Sequence, residues 1–549
     1  MLDNTRQADG GTALVAWLKA AGTEHVFSVS GGPINPVYRA CAELGVQLVH
    51  CRHEAAACYM AEARSRVTGK LGVAMVTLGP GVTNAATPAI VSHLGGTPLL
   101  IIGAQSSTAV TDRGAGMTYD VLPAMRAVTK WAARCTDPRR LQEYLDMAWR
   151  HIWAGRPGPV FLEVPTDILH APVEEHYRDQ LPAAPANPGL PGICAGDRAA
   201  FETLLAQSKR PVLLLGDDVF FNRSDRLQEA IEKHSIPFFT LRLARGAVDE
   251  RHPLCAGPGY VPCNAALRRA LEEADCVILV GHHFEFDLGF GDSIGKATKV
   301  VQIATDAAIL HRNRRADIAF NTSAFHFLWV LAEAKAAPVD QTWAKGLVAE
   351  WRAEHAAQAG EDAAEGLHPI NAIDAVTAVA PDDTIFVTSH GNVDFWADAR
   401  IQVKAPGRYL RAGQSGTLGA ELPYGPGARL ADGKAPVIVF VGDGGVGFHA
   451  TELDTAARYD APFITVVLDD EMWAAISLPQ EMTYGETWEM KLPRRDWAAV
   501  AEALGGKGYH ASTAEEIGQA IKDAIASGKP AVVQVPVRSV ISPYMKFIS

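Results

Sequence analysis

Two aspartates pose the first chemical question. Asp443 stands in Gly442-Asp443-Gly444-Gly445, and Asp470 follows 27 residues later in Leu468-Asp469-Asp470. Residues 436–441 are apolar and β-branched and predict a buried strand; 447–459 predict a helix and 462–468 the next strand. Each aspartate is thereby expected at the carboxyl end of a strand, on the edge of a parallel sheet where open α/β folds bind ligands. Two hard oxygen ligands beside glycines that let a diphosphate approach the backbone describe an anchor for Mg²⁺ and a diphosphate. The plain alternative is a βαβ unit with acidic turn residues.

A second constellation lies far upstream. Arg52-His53-Glu54 ends one expected strand and opens an alanine-rich helix, Glu54-Ala55-Ala56-Ala57. Small apolar neighbours would desolvate the Glu54 carboxyl, favour its neutral form and make it a hydrogen-bond partner; a carboxylate serving a helix N-terminus is the alternative. Gly79-Pro80-Gly81-Val82-Thr83-Asn84 is a rigid turn whose Thr83 and Asn84 can cap the next helix or offer donors to a ligand.

The elements that must position these groups repeat three times. Strands alternate with helices over residues 1–180, 193–335 and 366–549, which predicts an α/β protein of three consecutive doubly wound domains with mainly parallel sheets. Strands are expected at 25–30, 46–51, 72–78, 98–103 and 159–165, then 211–215, 238–241, 276–280 and 299–303, then 384–387, 437–441, 464–468 and 531–535. Residues 181–192, rich in proline and alanine, read as an exposed linker, and the charged stretch 343–365 as a solvated connecting helix. The first and third units are alike in size and layout. A net charge of −12 argues against nucleic acid and anionic membrane surfaces as partners. Eight scattered cysteines without CxxC pairing fit a reduced cytoplasmic protein, and no apolar run is long enough to span a bilayer.

Taken together, Arg52-His53-Glu54-Ala55-Ala56, the Gly79–Asn84 turn, Gly413-Gln414-Ser415-Gly416-Thr417-Leu418-Gly419 and the Asp443/Asp470 pair resemble the thiamine diphosphate enzymes of the acetolactate synthase superfamily. That group includes benzaldehyde lyase, oxalyl-CoA decarboxylase and 2-hydroxyacyl-CoA lyases. The resemblance implies thiamine diphosphate and Mg²⁺ as cofactors, with Glu54 as the catalytic residue that bonds the pyrimidine ring and activates the thiazolium carbon. It implies Asp443, Asp470 and a carbonyl near Met472 as metal ligands. Gly31, Gly32, Pro80, Asn84, His390, Gly391, Asn392, Gly416, Leu418, Gly442, Gly444, Gly445, Met472 and Trp473 are the implied cofactor contacts. Among them Leu418 would wedge the cofactor into its bent shape, and the Gly416 carbonyl would receive its amino group. For His390 a structural turn residue is the alternative. It further implies a homodimer or homotetramer with active sites at the subunit interface, Glu54 coming from one subunit and the diphosphate anchor from the other.

The substrate side departs from the synthases. Asp470 replaces the family's usual Asn, which keeps a hard oxygen ligand and adds a negative charge. Gly281-His282-His283-Phe284-Glu285-Phe286-Asp287 lacks the arginines that synthases use for flavin and substrate acid, and Pro479 stands where they carry a tryptophan. Residues 472–474 and 479–485 and the Gly31-Gly32-Pro33 turn look more like the lyases, and Gly116 falls where many relatives have a glutamine. The expected activity is C–C bond cleavage or ligation on a 2-hydroxyacyl substrate, CoA thioesters included, or on 2-hydroxy ketones and aldehydes. The alternatives are a flavin-free 2-oxo acid decarboxylase or acetolactate-type synthase, and a non-catalytic cofactor-binding subunit. Arg312, Arg314 and Arg315 suit either a CoA phosphate or an exposed basic face; Glu489 and the apolar tail 541–549 are further candidates for contact with substrate.

Overall fold

The computed structural model describes residues 7–174, 182–358, 360–388 and 390–542. Three parallel sheets of six strands follow one another along the chain. The first contains β1 (His25–Ser28), β2 (Gln47–His50), β3 (Gly72–Val76), β4 (Leu99–Gln105), β5 (Trp131–Arg134) and β6 (Pro159–Pro165), in the order β2-β1-β3-β4-β6-β5. The second contains β7 (Pro211–Leu215), β8 (Phe238–Thr240), β9 (Cys255–Pro258), β10 (Cys276–Val280), β11 (Lys299–Ala304) and β12 (Ile318–Asn321), ordered β12-β11-β10-β7-β8-β9. The third contains β13 (Ile385–Thr388), β14 (Tyr409–Arg411), β15 (Val437–Gly442), β16 (Ile464–Asp469), β17 (Lys507–His510) and β18 (Ala531–Pro536), ordered β14-β13-β15-β16-β18-β17. Numbered from their own starts, the first and third sheets have the same order, which their common layout predicted. The second has the doubly wound order that reverses between β7 and β10.

Helices cover both faces of each sheet, so the inner strands are buried on both sides and read as continuous apolar runs. The expected solvated helix at 343–365 is corrected here. Gln341–Ala357 forms a helix, capped by Asp340, but Trp343, Leu347, Val348 and Trp351 bury one face in the core of the middle domain. Its charges had hidden that apolar stripe. The helix expected at 447–459 is also broken. Asp443–Val446 makes one helical turn, and a regular helix begins only at Glu452 and ends at Arg458. Between them His449 turns its ring to the Gly419 carbonyl, 2.7 Å away.

One helix pair locks the first domain to the third. Glu54–Thr68 lies against Glu421–Asp432. A β-carbon at Gly427 would come within 2.6 Å of the Met60 carbonyl oxygen, so only glycine permits this approach. Inside the contact Glu62 accepts from Arg66 at 2.6 Å and from the Tyr424 hydroxyl at 2.8 Å, and Arg66 also donates to the Arg411 carbonyl. Gly427→Ala is expected to force the helices apart and destabilise the protein by about 1–3 kcal/mol. Thermal unfolding of the variant checks this, and an unchanged midpoint would refute the close packing.

Candidate active site

The loops that leave β13, β14, β15 and β16 at their carboxyl ends converge on a cavity of about 190 Å³. It gathers His390, Gly391, Asn392, Gly416, Leu418, Gly442, Asp443, Gly444, Gly445, Asp470, Met472 and Trp473, residues the sequence had scattered over more than eighty positions. Asp443 is 8% exposed, and its Oδ1 is buried without a hydrogen-bond partner. Burial, then the nearby Asp470 and Asp469 charges, push its carboxyl up to about 7. Burial also raises Asp470 to about 7, against the pull of a hydrogen bond from Ser539. Two desolvated carboxylates with a bare oxygen facing one space form a donor set for a hard divalent cation. Among the described residues no three acidic, histidine or cysteine side chains cluster as a metal site, so the remaining donors would be main-chain and ligand oxygens.

The neighbouring Asp469 does different work. It is 2% exposed, accepts from Gln534 Nε2 at 2.7 Å and thereby ties the end of β16 toward β18. The bend between the two aspartates turns Asp470 into the cavity, and Glu471 adopts a positive φ of 54° just after it. Pairing of Met472 with Lys491, and of the Trp473 N–H with the Met490 carbonyl at 2.9 Å, then holds this segment in place.

The glycines divide the labour differently from the expectation that all of them admit a diphosphate. A β-carbon at Gly444 would strike the Trp473 ring at 2.4 Å, and one at Gly445 would meet the Glu421 carboxylate at 2.7 Å. Those positions serve packing. Gly442 has open space where a β-carbon would stand, so it leaves the approach clear. Glu421 and Ser539 are wall or support residues that the sequence reading missed. Glu421 accepts from the Gly419 N–H at 2.9 Å and abuts Gly445 from another segment, Ser539 reaches Asp470 from far along the chain, and no local pattern marks either residue. Asn392 lines the cavity with its amide committed elsewhere: it donates to the Val540 carbonyl at 2.6 Å and accepts from the Ser542 N–H at 2.8 Å. The rest of the expected tail, 543–549, lies outside the described residues.

The upstream residues form a separate cluster on the matching edge of the first sheet. Glu54 is the first residue of its helix, with His53 as the N-cap, and its Oε2 accepts from Asn84 Nδ2 at 2.9 Å. Gly31 packs against Thr77, a β-carbon at Gly81 would lie 3.3 Å from Glu54 Oε1, and Pro80 starts the short helix that ends in Asn84. Gly32 stands in open space. None of Glu54, Gly31, Gly32, Pro80 or Asn84 lines the Asp443 cavity. Glu54 is partly buried at the start of its helix, while Ala55, Ala56 and Ala57 turn into the core. Gly116 and Glu489 are exposed, and Arg314 is committed to the Gly295 carbonyl at 3.1 Å, with Arg312 and Arg315 exposed beside it.

A second cavity of about 420 Å³ lies where the three domains meet, and His390 and Gly416 line both spaces. Beside it, the crevice between β7 and β10 is filled by the chain's own charges. Arg242 bonds Asp287 at 2.7 Å and also Glu285, which accepts from His282 at 3.0 Å. Gly216 and Gly281 are pressed against His282 and Asp218, which closes the crevice further.

Three family models match the chain in order. They are the N-terminal TPP binding domain of thiamine pyrophosphate enzymes over residues 8–123, the central domain over 199–331 and the C-terminal TPP binding domain over 389–535. Its relatives include 2-hydroxyacyl-CoA lyase 2 of Bos taurus and of Homo sapiens, each 29% identical over 97% of this chain and 91% of the relative. The acetolactate synthase large subunit IlvG of Mycobacterium tuberculosis is 30% identical over 96% of this chain and 95% of its own. The chain belongs to the thiamine diphosphate-dependent enzymes, in the superfamily that joins acetolactate synthases with 2-hydroxyacyl-CoA lyases.

Proposed function

We propose that the protein is a thiamine diphosphate- and Mg²⁺-dependent lyase or carboligase. It breaks or makes a C–C bond beside a carbonyl in 2-hydroxyacyl substrates, CoA thioesters included, or in 2-hydroxy ketones and aldehydes. The observation that carries this reading is the pairing of Asp443, with its bare buried oxygen, and Asp470 in one glycine-rich cavity. The names of the lyase relatives support the substrate class. When bound, the cofactor supplies an acidic carbon and a sink for the electrons of the broken bond. The chain's own residues do the rest. Asp443, Asp470 and a carbonyl near Met472 would hold the cation, the backbone at Gly442 would receive the diphosphate with Gly444 and Gly445 packed behind it, and Leu418 and Gly416 would contact the organic part of the cofactor. Glu54, steadied by Asn84, bonds the pyrimidine nitrogen.

Glu54 lies outside the Asp443 cavity of its own chain, and we infer that it completes the cavity of a second copy in a homodimer or homotetramer. The free state of all eight cysteines suits a cytoplasmic setting, and no helix among the described residues is long and apolar enough to cross a membrane.

Glu54→Gln is expected to abolish exchange of the thiazolium C2 proton while thiamine diphosphate still binds; normal exchange would remove Glu54 from this role. Mixing Glu54→Gln with Asp443→Asn chains is expected to restore about a quarter of wild-type activity, because each mixed dimer rebuilds one intact site. No recovery would refute the shared site. Pyruvate should yield neither acetolactate nor CO₂, and either product would favour the synthase alternative.

The cation leaves a signature in stability. Asp443 and Asp470 are raised from 3.8 to about 7, so their neutral forms favour folding at low pH and that contribution is lost as pH rises toward about 7. Mg²⁺ relieves the repulsion of the ionised pair. Its stabilisation should therefore be small near pH 5 and large near pH 8, with roughly 2–4 °C in the Tm of the third domain for each kcal/mol regained. Asp443→Asn should remove most of the increment. An equal Mg²⁺ effect at both pH values would argue against this pair as the ligands.

A further inference from the structure

The 420 Å³ cavity at the junction of the three domains has a chemistry of its own. Its walls are chiefly apolar: Leu94 from the first domain, Leu243 and Phe286 from the second, Phe395 and Tyr409 from the third. Charged groups surround it, but each guanidinium is committed within the protein. Arg66 pairs with Glu62 at 2.6 Å, Arg242 with Asp287 at 2.7 Å, Arg411 with Asp398 at 2.5 Å and Arg156 with Asp217 at 3.2 Å. An anionic ligand would have to give up its hydration beside guanidiniums whose charge the protein's own carboxylates already neutralise, and that step is costly. An apolar group gains from every ångström of surface it buries there. A cavity of about 150 Å³ already admits benzene, so this one has room for a substituted aromatic ring or a branched chain of similar bulk.

The cavity reaches the neighbouring one through His390 and Gly416. His390 Nδ1 is buried and has no hydrogen-bond partner, while the ring bonds the main chain at Gly413 and Thr417. Burial, with the Arg411 and Arg242 charges adding, holds the imidazole well below its usual value and therefore neutral. A neutral ring whose other nitrogen donates to a carbonyl presents Nδ1 as an acceptor.

We propose that this three-domain cavity is the subsite for the non-reacting part of the substrate, that this part is uncharged and apolar with the bulk of a substituted aromatic ring, and that His390 Nδ1 accepts a hydrogen bond from the substrate hydroxyl where the two cavities join. The assignment rests on the reading that thiamine diphosphate occupies the Asp443 cavity. It narrows the substrate to molecules whose charged portion, where there is one, lies outside the junction.

Matched probes test it without turnover. Benzyl alcohol, toluene and benzoate share a ring and differ in the hydroxyl and the charge. Their binding to the full chain is measured by ligand-observed NMR with and without thiamine diphosphate and Mg²⁺, and cofactor binding is measured separately. Benzyl alcohol should bind about tenfold or more tightly than benzoate. Leu243→Trp, which fills the cavity, should weaken benzyl alcohol about tenfold and leave cofactor affinity unchanged. Phe286→Ala, at a residue 40% exposed and safe for folding, should weaken it several-fold. His390→Leu should erase the preference for benzyl alcohol over toluene. Equal or tighter binding of benzoate, indifference to both wall substitutions, a preference for benzyl alcohol that survives in His390→Leu, or a flavin or nucleotide that copurifies in this cavity would overturn the proposal. Failure of cofactor binding alone would instead strike at the enzyme reading, because the probes still report on the cavity.

Discussion

The contact between Glu54–Thr68 and Glu421–Asp432 fixes the geometry on which the other parts depend. Its centre is a buried Glu62–Arg66 pair completed by the Tyr424 hydroxyl. Such a pair adds little net stability, but removing one partner strands the other charge, so it specifies one arrangement of the helices rather than many. Each end of the upstream helix then serves a site. Its first residue is Glu54, and Arg66 near its other end walls the junction cavity and reaches the Arg411 carbonyl. A single helix thus carries the Glu54 carboxylate at one end and, near the other, the guanidinium that walls the junction cavity.

The Asp443 cavity is built against its own electrostatic cost. Two carboxylates face one cavity with little solvent, and packing fixes the segments beside them. Trp473 lies on Gly444, Glu421 abuts Gly445, and Gln534 keeps Asp469 turned away. A divalent cation placed between these two carboxylates would relieve the repulsion that raises them. Asp470 in place of the usual Asn sharpens that logic. It raises the repulsion without changing the hardness of the donor.

Much of this was legible in the sequence, and the limit has a physical pattern. The strands that escaped notice, Trp131–Arg134, Cys255–Pro258, Ile318–Asn321, Tyr409–Arg411 and Lys507–His510, all lie at sheet edges. Three are only partly buried, as Lys507–His510 shows, so no apolar run marks them, while Tyr409–Arg411 and Cys255–Pro258 are buried but only three and four residues long. Inner strands such as Leu99–Gln105 and Cys276–Val280 are buried along their whole length and announce themselves. The same distinction holds in the site. Asp443, Asp470 and the glycines sit in short motifs that chemistry makes recognisable. Glu421, Ser539 and the junction cavity arise from segments far apart in the chain, and no local window contains them.

The middle domain shows how a chain's own side chains can fill the crevice that its fold opens. Its sheet has the doubly wound order, and the reversal between β7 and β10 is where such sheets bind nucleotides. Here Gly216 and Gly281 bring the backbone against His282 and Asp218, and Arg242 is clamped by Glu285 and Asp287, so the chain's own ions occupy the crevice. Those groups bond one another within the protein. What they leave open is the apolar space next to them, walled by Phe286 and Leu243 and completed by the first and third domains. The domain's contribution is therefore a shape: it closes one side of a chamber that the two cofactor-binding domains could not enclose alone.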